Sequence, residues 1–168
     1  MKAVVVYESL WGNTKAVAQA VADGIGPGTP CLTTDEAGPE TVADADLVVA
    51  GAPVLAFSLG GDKIRAAIAR DEAHAPTPPD LSHPSLRSWL ERLPHGTARS
   101  AAFETRIWWS PRGATGDIDD RFTRAGYRPI VKARKFVVTD KYGPLREGEI
   151  ERARQWGRQL ATAVGAGS

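Results

Sequence analysis

The first 25 residues combine two patterns that few folds accommodate. Ala3 to Tyr7 form an unbroken apolar run, which is typical of a strand buried on both faces of a parallel sheet. After the polar segment 8–13, apolar residues recur at helical spacing as far as Ile25. The chain therefore begins with a strand, a tight loop and a helix. Because the first amides of a helix lack partners and face the positive end of its dipole, this loop is a candidate anion-binding site.

The side chains of the loop favour anion binding. Ser9 and Thr14 offer hydroxyl groups, and Gly12 allows the backbone to turn close to a ligand. Asn13 or Thr14 is placed to cap the helix. The loop has no basic residue before Lys15, so neutral donors would hold a phosphate. The same residue types also make an ordinary turn and cap, and the loop chemistry alone leaves both interpretations open.

Apolar runs alternate with helical patterns along the rest of the chain. This alternation predicts an α/β fold, a doubly wound parallel sheet with helices on both faces, as a single domain over residues 1–168. Ligands of such sheets bind at the carboxyl ends of the strands. The five predicted strands are 3–7, 30–34, 47–50, 98–104 and 130–138, the last interrupted by basic residues at 132–135.

Two further segments follow predicted strands and carry apolar side chains that are unusual for surface loops. Segment 51–61 contains Val54, Leu55 and Phe57, and segment 105–116 contains the adjacent Trp108 and Trp109. Large apolar side chains in a loop are costly unless they bury against something. The first segment packs on a ligand, on the core or on a partner. In the second, either a tryptophan stacks on a ring ligand, or one faces the core and the other an oligomer partner.

Residues Ser9-Leu10-Trp11-Gly12-Asn13-Thr14 match the phosphate loop of flavodoxins, Ser/Thr-x-x-Gly-Asn-Thr, directly after the first strand. The chain resembles the flavodoxin family over almost its whole length, most of all short-chain flavodoxin-like proteins of high-GC bacteria. The resemblance implies a bound FMN, a sheet with strand order 2-1-3-4-5, and one- or two-electron redox work.

The resemblance also implies which residues hold the flavin. The first loop would bind the phosphate, the second would lie against the isoalloxazine ring, and Trp108 or Trp109 in the third would stack on that ring. No catalytic or metal-ligating residue is predicted, and His74, His83 and His95 are interpreted as surface or loop histidines. The candidate FMN-binding residues are Ser9, Leu10, Trp11, Gly12, Asn13, Thr14, Pro53, Val54, Leu55, Ala56, Phe57, Thr105, Arg106, Trp108, Trp109 and Gly113.

The third loop departs from the usual flavodoxin pattern. It carries Arg106 and Arg112 beside the two tryptophans, where flavodoxins usually carry Gly, Asp and Tyr with acidic neighbours. Because arginines favour negative charge on a reduced flavin, we predict a less negative second-electron potential than in an acidic flavodoxin. The same arginines predict that an acidic redox partner protein docks near this loop.

Composition narrows the remaining classes of function. The net charge is +1, and no nucleic-acid-binding motif accompanies the basic residues of 99–135, so we expect no nucleic-acid partner. The single cysteine, Cys31, excludes an internal disulfide, and the short apolar N-terminus predicts neither a signal peptide nor a membrane span. We therefore expect a cytoplasmic protein. The leading hypothesis is an FMN electron carrier; the alternatives are an FMN-dependent reductase of quinones or similar small acceptors, and a scaffold that has lost flavin binding.

Overall fold

Parallel strands with apolar residues on both faces form the centre of the molecule in a computed structural model, which describes residues 1–167. The predicted domain also includes Ser168, which lies outside the described residues. The strands within residues 1–167 are β1 (Ala3–Tyr7), β2 (Cys31–Thr33), β3 (Leu47–Leu55), β4 (Ser58–Leu59), β5 (Arg99–Ile107), β6 (Arg128–Pro129) and β7 (Arg134–Val138). The helices there are α1 (Asn13–Ile25), α2 (Pro39–Ala43), α3 (Asp62–Asp71), α4 (Leu86–Glu91), α5 (Thr115–Arg124) and α6 (Glu149–Ala166).

The strand order confirms the predicted fold class. The sheet runs β2-β1-β3-β5-β6, with β7 also paired to β5, and these pairings are all parallel. If β6 and β7 are taken as one position, this is the predicted order 2-1-3-4-5. Residues 1–167 form seven strands where the sequence predicts five, because the last strand is split and because β4 pairs antiparallel with the end of β3.

The split of the last strand has a geometric cause. Ser100 pairs with Pro129 and Phe103 pairs with Arg134, so the edge segment carries two more residues than β5 over the same span. The extra residues bulge out of the ladder between β6 and β7. This bulge coincides with the basic residues of 132–135 that interrupt the predicted strand.

Two predicted loops begin later than the sequence indicates. β3 continues to Leu55 and β5 to Ile107, because their ladder extends as far as the pair Pro53–Thr105. Between β3 and β4, Ala56 and Phe57 form a two-residue turn with φ angles of 48° and 61°. Such turns usually carry Asn or Gly, so this sequence gives no local signal for the hairpin.

Apolar layers cover both faces of the sheet. On one face, Val4, Val6 and Val48 pack against α4 and α5, and on the other, Val5 and Val49 pack against α1 and α6. Alternate residues of each strand thus enter opposite layers, which explains why the strands are apolar throughout. No helix within residues 1–167 is both long enough and apolar enough to cross a membrane.

Helices α1 and α6 approach each other closely through two glycines. A Cβ atom at Gly157 would lie 2.2 Å from the carbonyl oxygen of Val21 and 2.9 Å from the Cα of Gly24. A Cβ at Gly24 would lie 2.0 Å from the carbonyl oxygen of Arg154. The two backbones are therefore in direct contact, which sets the position of α1 and of the loop at its N-terminus.

Candidate cofactor site

The carboxyl ends of β1, β3, β5 and β7 surround one cavity of about 670 Å³. This volume falls within the range of about 300–1,000 Å³ that is usual for small-molecule sites. The position at the carboxyl edge of the sheet is the one predicted for a doubly wound fold. Its apolar wall is formed by Leu10, Val54, Leu55, Phe57, Ile64, Ile68, Ile107, Trp108, Trp109 and Val138.

The three predicted segments meet at this cavity. Flavin contact by these residues stays a prediction. Two predicted residues lie outside the wall: Gly12 is the N-cap of α1, and Gly113 lies against the Glu104 carboxylate. The predicted residues that line the cavity are Ser9, Leu10, Trp11, Asn13, Thr14, Pro53, Val54, Leu55, Ala56, Phe57, Thr105, Arg106, Trp108 and Trp109.

The loop between β1 and α1 is held by its own side chains. Gly12 adopts a φ of 91°, and its N–H donates to Ser9 Oγ at 3.1 Å. The hydroxyls of Thr14 and Thr105 lie 2.8 Å apart and share a hydrogen bond, which ties the loop to β5. The predicted side-chain cap by Asn13 or Thr14 is wrong: Gly12 occupies the N-cap position, and Asn13 Nδ2 donates to the Tyr142 carbonyl at 3.1 Å instead.

The loop leaves backbone donors free at the cavity. Within residues 1–167, the amides of Trp11, Asn13 and Thr14 donate to no protein acceptor. They lie at the N-terminus of the 13-residue helix α1, where the helix dipole favours an anion. Unpaired amides next to a cavity provide the donors that a phosphate group accepts.

A second segment, which the sequence analysis did not connect with the site, supports this loop from the other side. Trp11 Nε1 donates to the Thr77 carbonyl at 3.1 Å, and the Asp80 amide donates to the Leu10 carbonyl at 2.8 Å. The Ser9 amide donates to Nε2 of His83 at 3.2 Å. We call residues 77–83 the brace segment. Its proline-rich sequence has no periodicity, so no local pattern could have revealed these contacts.

All three histidines lie outside the helices and strands, which agrees with their interpretation as surface or loop residues, but His83 is not at the surface. His83 is only 4% exposed and contacts the loop, whereas His74 and His95 are exposed. Its Nε2 accepts a hydrogen bond from an amide, so the ring is neutral and its proton lies on Nδ1. Burial lowers the pKa of His83, which favours the same neutral form.

A buried ion pair lies beneath the loop and the brace segment. Glu8 directly follows β1, and its fully buried side chain contacts the guanidinium of Arg65 from α3. Its other oxygen accepts the Leu86 amide at 3.0 Å. Arg65 also donates to the carbonyl of His83. Sequence reasoning missed both charged residues, because Arg65 lies on a helix face where partly buried apolar residues flank it.

A second buried carboxylate holds segment 105–116 in place. Glu104 in β5 accepts the amides of Ala114 and Thr115 at 2.6 and 2.9 Å, which satisfies the N-terminus of α5. Its other oxygen accepts Arg106 Nη1 at 3.1 Å. A Cβ at Gly113 would lie 2.4 Å from each carboxylate oxygen, so the absence of a side chain there makes room for Glu104.

These contacts change the electrostatic picture drawn from the sequence. The charge of Arg106 is balanced by Glu104, and its side chain is almost buried. Three acidic residues that the sequence did not assign to the site line the cavity: Asp71, Glu72 and Asp140. Glu72 is itself paired with Lys141. The pairing of Arg106 and the three acidic residues weaken the argument for a less negative second-electron potential, and the potential itself stays a prediction.

Aromatic side chains surround the mouth of the cavity. Trp108 and Trp109 are 74% and 55% exposed, and Phe57 is 38% exposed. Trp109 contacts Phe57 edge-to-face, with ring centroids 6.0 Å apart. Neither tryptophan enters the core, so that alternative for the pair is wrong. Both remain available to a planar ligand or to a protein partner.

Comparison with known proteins identifies the fold. No protein-family model and no curated protein matches the sequence. A flavodoxin from the domain Archaea matches with a TM-score of 0.66 at 18% identity, covering 98% of this chain and 99% of that chain. Oxidised Flavodoxin 1 from Bacillus cereus matches with a TM-score of 0.63 at 15% identity, covering 96% of this chain and 98% of that chain. A flavodoxin, WrbA-like protein from Agrobacterium tumefaciens matches with a TM-score of 0.63 at 17% identity, covering 99% of this chain and 98% of that chain.

The protein thus has the flavodoxin-like fold, as its first loop predicts. At such low identities, similarity of structure establishes the fold and leaves the ligand to be argued from the site itself.

Proposed function

We propose that the cavity binds FMN and that the protein serves as an electron carrier. The observation that carries this proposal is the set of free amides at Trp11, Asn13 and Thr14 beside a largely apolar cavity. Those amides suit the phosphate of FMN, while Leu55, Phe57 and the other apolar residues of the wall suit a planar ring system and exclude water from it. When bound, FMN supplies the capacity to accept and release one or two electrons.

The first test compares FMN with riboflavin, which has the same ring system and no phosphate. We expect the purified protein to retain FMN bands in its visible spectrum after gel filtration. Riboflavin should bind at least about tenfold more weakly, because hydrogen bonds to a charged group contribute about 1.5–3 kcal/mol each.

Either of two outcomes would contradict part of this proposal. A protein that retains neither flavin loses the cofactor assignment, and the scaffold hypothesis then leads. Equal affinity for FMN and riboflavin would show that the flavin binds without its phosphate in the β1–α1 loop.

A reductase of small planar acceptors is the second candidate, and the exposed Trp108 and Trp109 favour it. Their rings offer a stacking surface at the mouth of the cavity, where an acceptor could reach a bound flavin. Steady-state turnover of a quinone by a reduced nicotinamide, measured on the FMN-loaded protein, distinguishes the two. Rapid turnover favours the reductase, whereas its absence together with reversible reduction of the flavin favours the carrier.

An acidic redox partner remains part of the proposal, with Arg112 as its main contact. Arg106 is paired with Glu104, whereas the exposed side chain of Arg112 has no partner in the described part of the chain. We expect Arg112→Glu to slow oxidation of the reduced protein by ferricyanide, a small trianion, about threefold at low ionic strength. Arg124→Glu at the far end of α5 is the matched control. Equal rates for both variants would contradict docking at Arg112, and retention of FMN should not change.

A further inference from the structure

The brace segment contacts three consecutive residues of the anion-binding loop. Thr77 accepts the Trp11 indole N–H, Asp80 donates to Leu10, and His83 accepts the Ser9 amide. The bond between the Asp80 amide and the Leu10 carbonyl joins two backbone groups, and the bond to Thr77 depends on the Trp11 indole, which does not titrate. The His83 bond alone depends on a titratable side chain.

The brace segment is in turn fixed to the core. Arg65 donates to the carbonyl of His83 and is held by Glu8, which immediately precedes Ser9 in the chain. The imidazole is thereby confined between a fixed backbone and the loop.

We infer that His83 is a positioning residue of the anion-binding loop: its neutral imidazole fixes the Ser9 amide, and protonation of the ring releases the loop and weakens FMN binding. The part that concerns FMN rests on the function proposed above, whereas the part that concerns the loop does not. His83 does not line the cavity, so it acts on the ligand through Ser9.

Charged groups from several elements face the His83 ring. Asp80 lies within the brace segment, with Oδ1 3.9 Å from Nδ1, and Asp35 follows β2; both carboxylates favour the protonated ring. Burial and the guanidinium of Arg65 from α3 oppose it, and the net result is a pKa below the ordinary value for histidine. Nδ1 is buried and has no hydrogen-bond partner among residues 1–167. Protonation adds the second N–H at Nε2, where the ring faces the Ser9 amide, which is itself a donor.

The sign of the pH effect follows from the donor and acceptor roles. Above its pKa, the ring accepts the Ser9 N–H. Below that pKa, Nε2 carries a proton, so two donors face each other, the ring N–H and the Ser9 N–H, and the hydrogen bond is lost. Because the pKa is lowered, the bond is present at neutral pH and is lost on acidification. A purely electrostatic role would have the opposite sign, since a positive imidazolium attracts phosphate.

The first experiment uses the FMN-free protein and NMR. We expect the Ser9 amide resonance to shift with pH along the same titration curve as the ring nitrogens of His83. The ring nitrogen shifts should also show the neutral form with its proton on Nδ1 at pH 7. A Ser9 resonance that does not follow the His83 titration would overturn the inference, and this readout needs no bound flavin.

The second experiment measures FMN affinity from about pH 7.5 down to about pH 5, because the pKa of His83 lies below the ordinary value for histidine. His83→Gln keeps a neutral acceptor that does not titrate, and His95→Gln changes an exposed histidine at the opposite edge of the sheet. The phosphate itself titrates near pH 6, and His83→Gln retains that contribution. On acidification we expect the native protein and His95→Gln to lose about 3- to 10-fold more affinity than His83→Gln.

Parallel pH profiles for the native protein and His83→Gln would overturn the inference, as would native binding that becomes tighter in acid. His83→Ala removes the acceptor at every pH and should bind FMN weakly throughout. If no variant binds FMN at any pH, the proposed function fails, and the NMR titration of the FMN-free chain still decides the role of His83.

Discussion

Arg65→Met is expected to lower the free energy of unfolding by about 3–5 kcal/mol, the usual cost of breaking a buried ion pair on one side. Glu8 would keep only the Leu86 amide as a partner in a fully buried position. The carbonyl of His83 would also lose its donor. Chemical denaturation, with the midpoint and slope fitted separately, measures the change.

Arg70→Met on the same helix is the matched control. Arg70 pairs with Asp71 at the surface, where both side chains are mostly exposed, so this change should cost less than about 0.5 kcal/mol. Adding Glu8→Gln to Arg65→Met removes the unpaired charge. The double variant should therefore be about 0.5–3 kcal/mol more stable than the sum of the single changes predicts. Equal effects at positions 65 and 70 would show that the buried pair contributes no more than a surface pair.

Gly157→Ala is expected to destabilise the protein by about 3 kcal/mol, at the upper end of the usual range for overpacking. The new methyl group would meet the Val21 carbonyl oxygen and the Gly24 backbone, and a backbone cannot move aside as a side chain does. Relief would require α1 and α6 to separate, which would also displace the loop at the start of α1. We expect weaker FMN binding in addition to a lower melting temperature.

Gly165→Ala in the same helix tests whether the close approach is the cause. A Cβ at Gly165 meets no atom within 4 Å, so alanine there should be neutral or stabilising by up to about 1 kcal/mol through helix propensity. Opposite signs at the two positions would identify the contact between α1 and α6 as the reason. A gain in stability at position 157 would contradict the packing described for the two glycines.

The parts of the site that are local in sequence could be predicted. The loop around Gly12 follows a strongly apolar strand and precedes a periodic helix, so its type and position were readable. The hairpin at Ala56 and Phe57 was not readable, because positive φ angles there are imposed by pairing between β3 and β4. The pairing of Arg106 with Glu104 was also not readable, because it depends on β5 continuing past Glu104 as far as Ile107.

Sequence by itself determined the class of fold, the strand order implied by the family motif, and the edge of the sheet where a ligand would lie. Those features depend on periodicity and on short motifs, which are properties of neighbouring residues. Tertiary structure alone decided what supports the loop: Arg65 reaches Glu8 across 57 residues, and His83 reaches Ser9 across 74. Contacts over such distances leave no periodic trace, because they depend on how the sheet brings α3 and the brace segment to the end of β1.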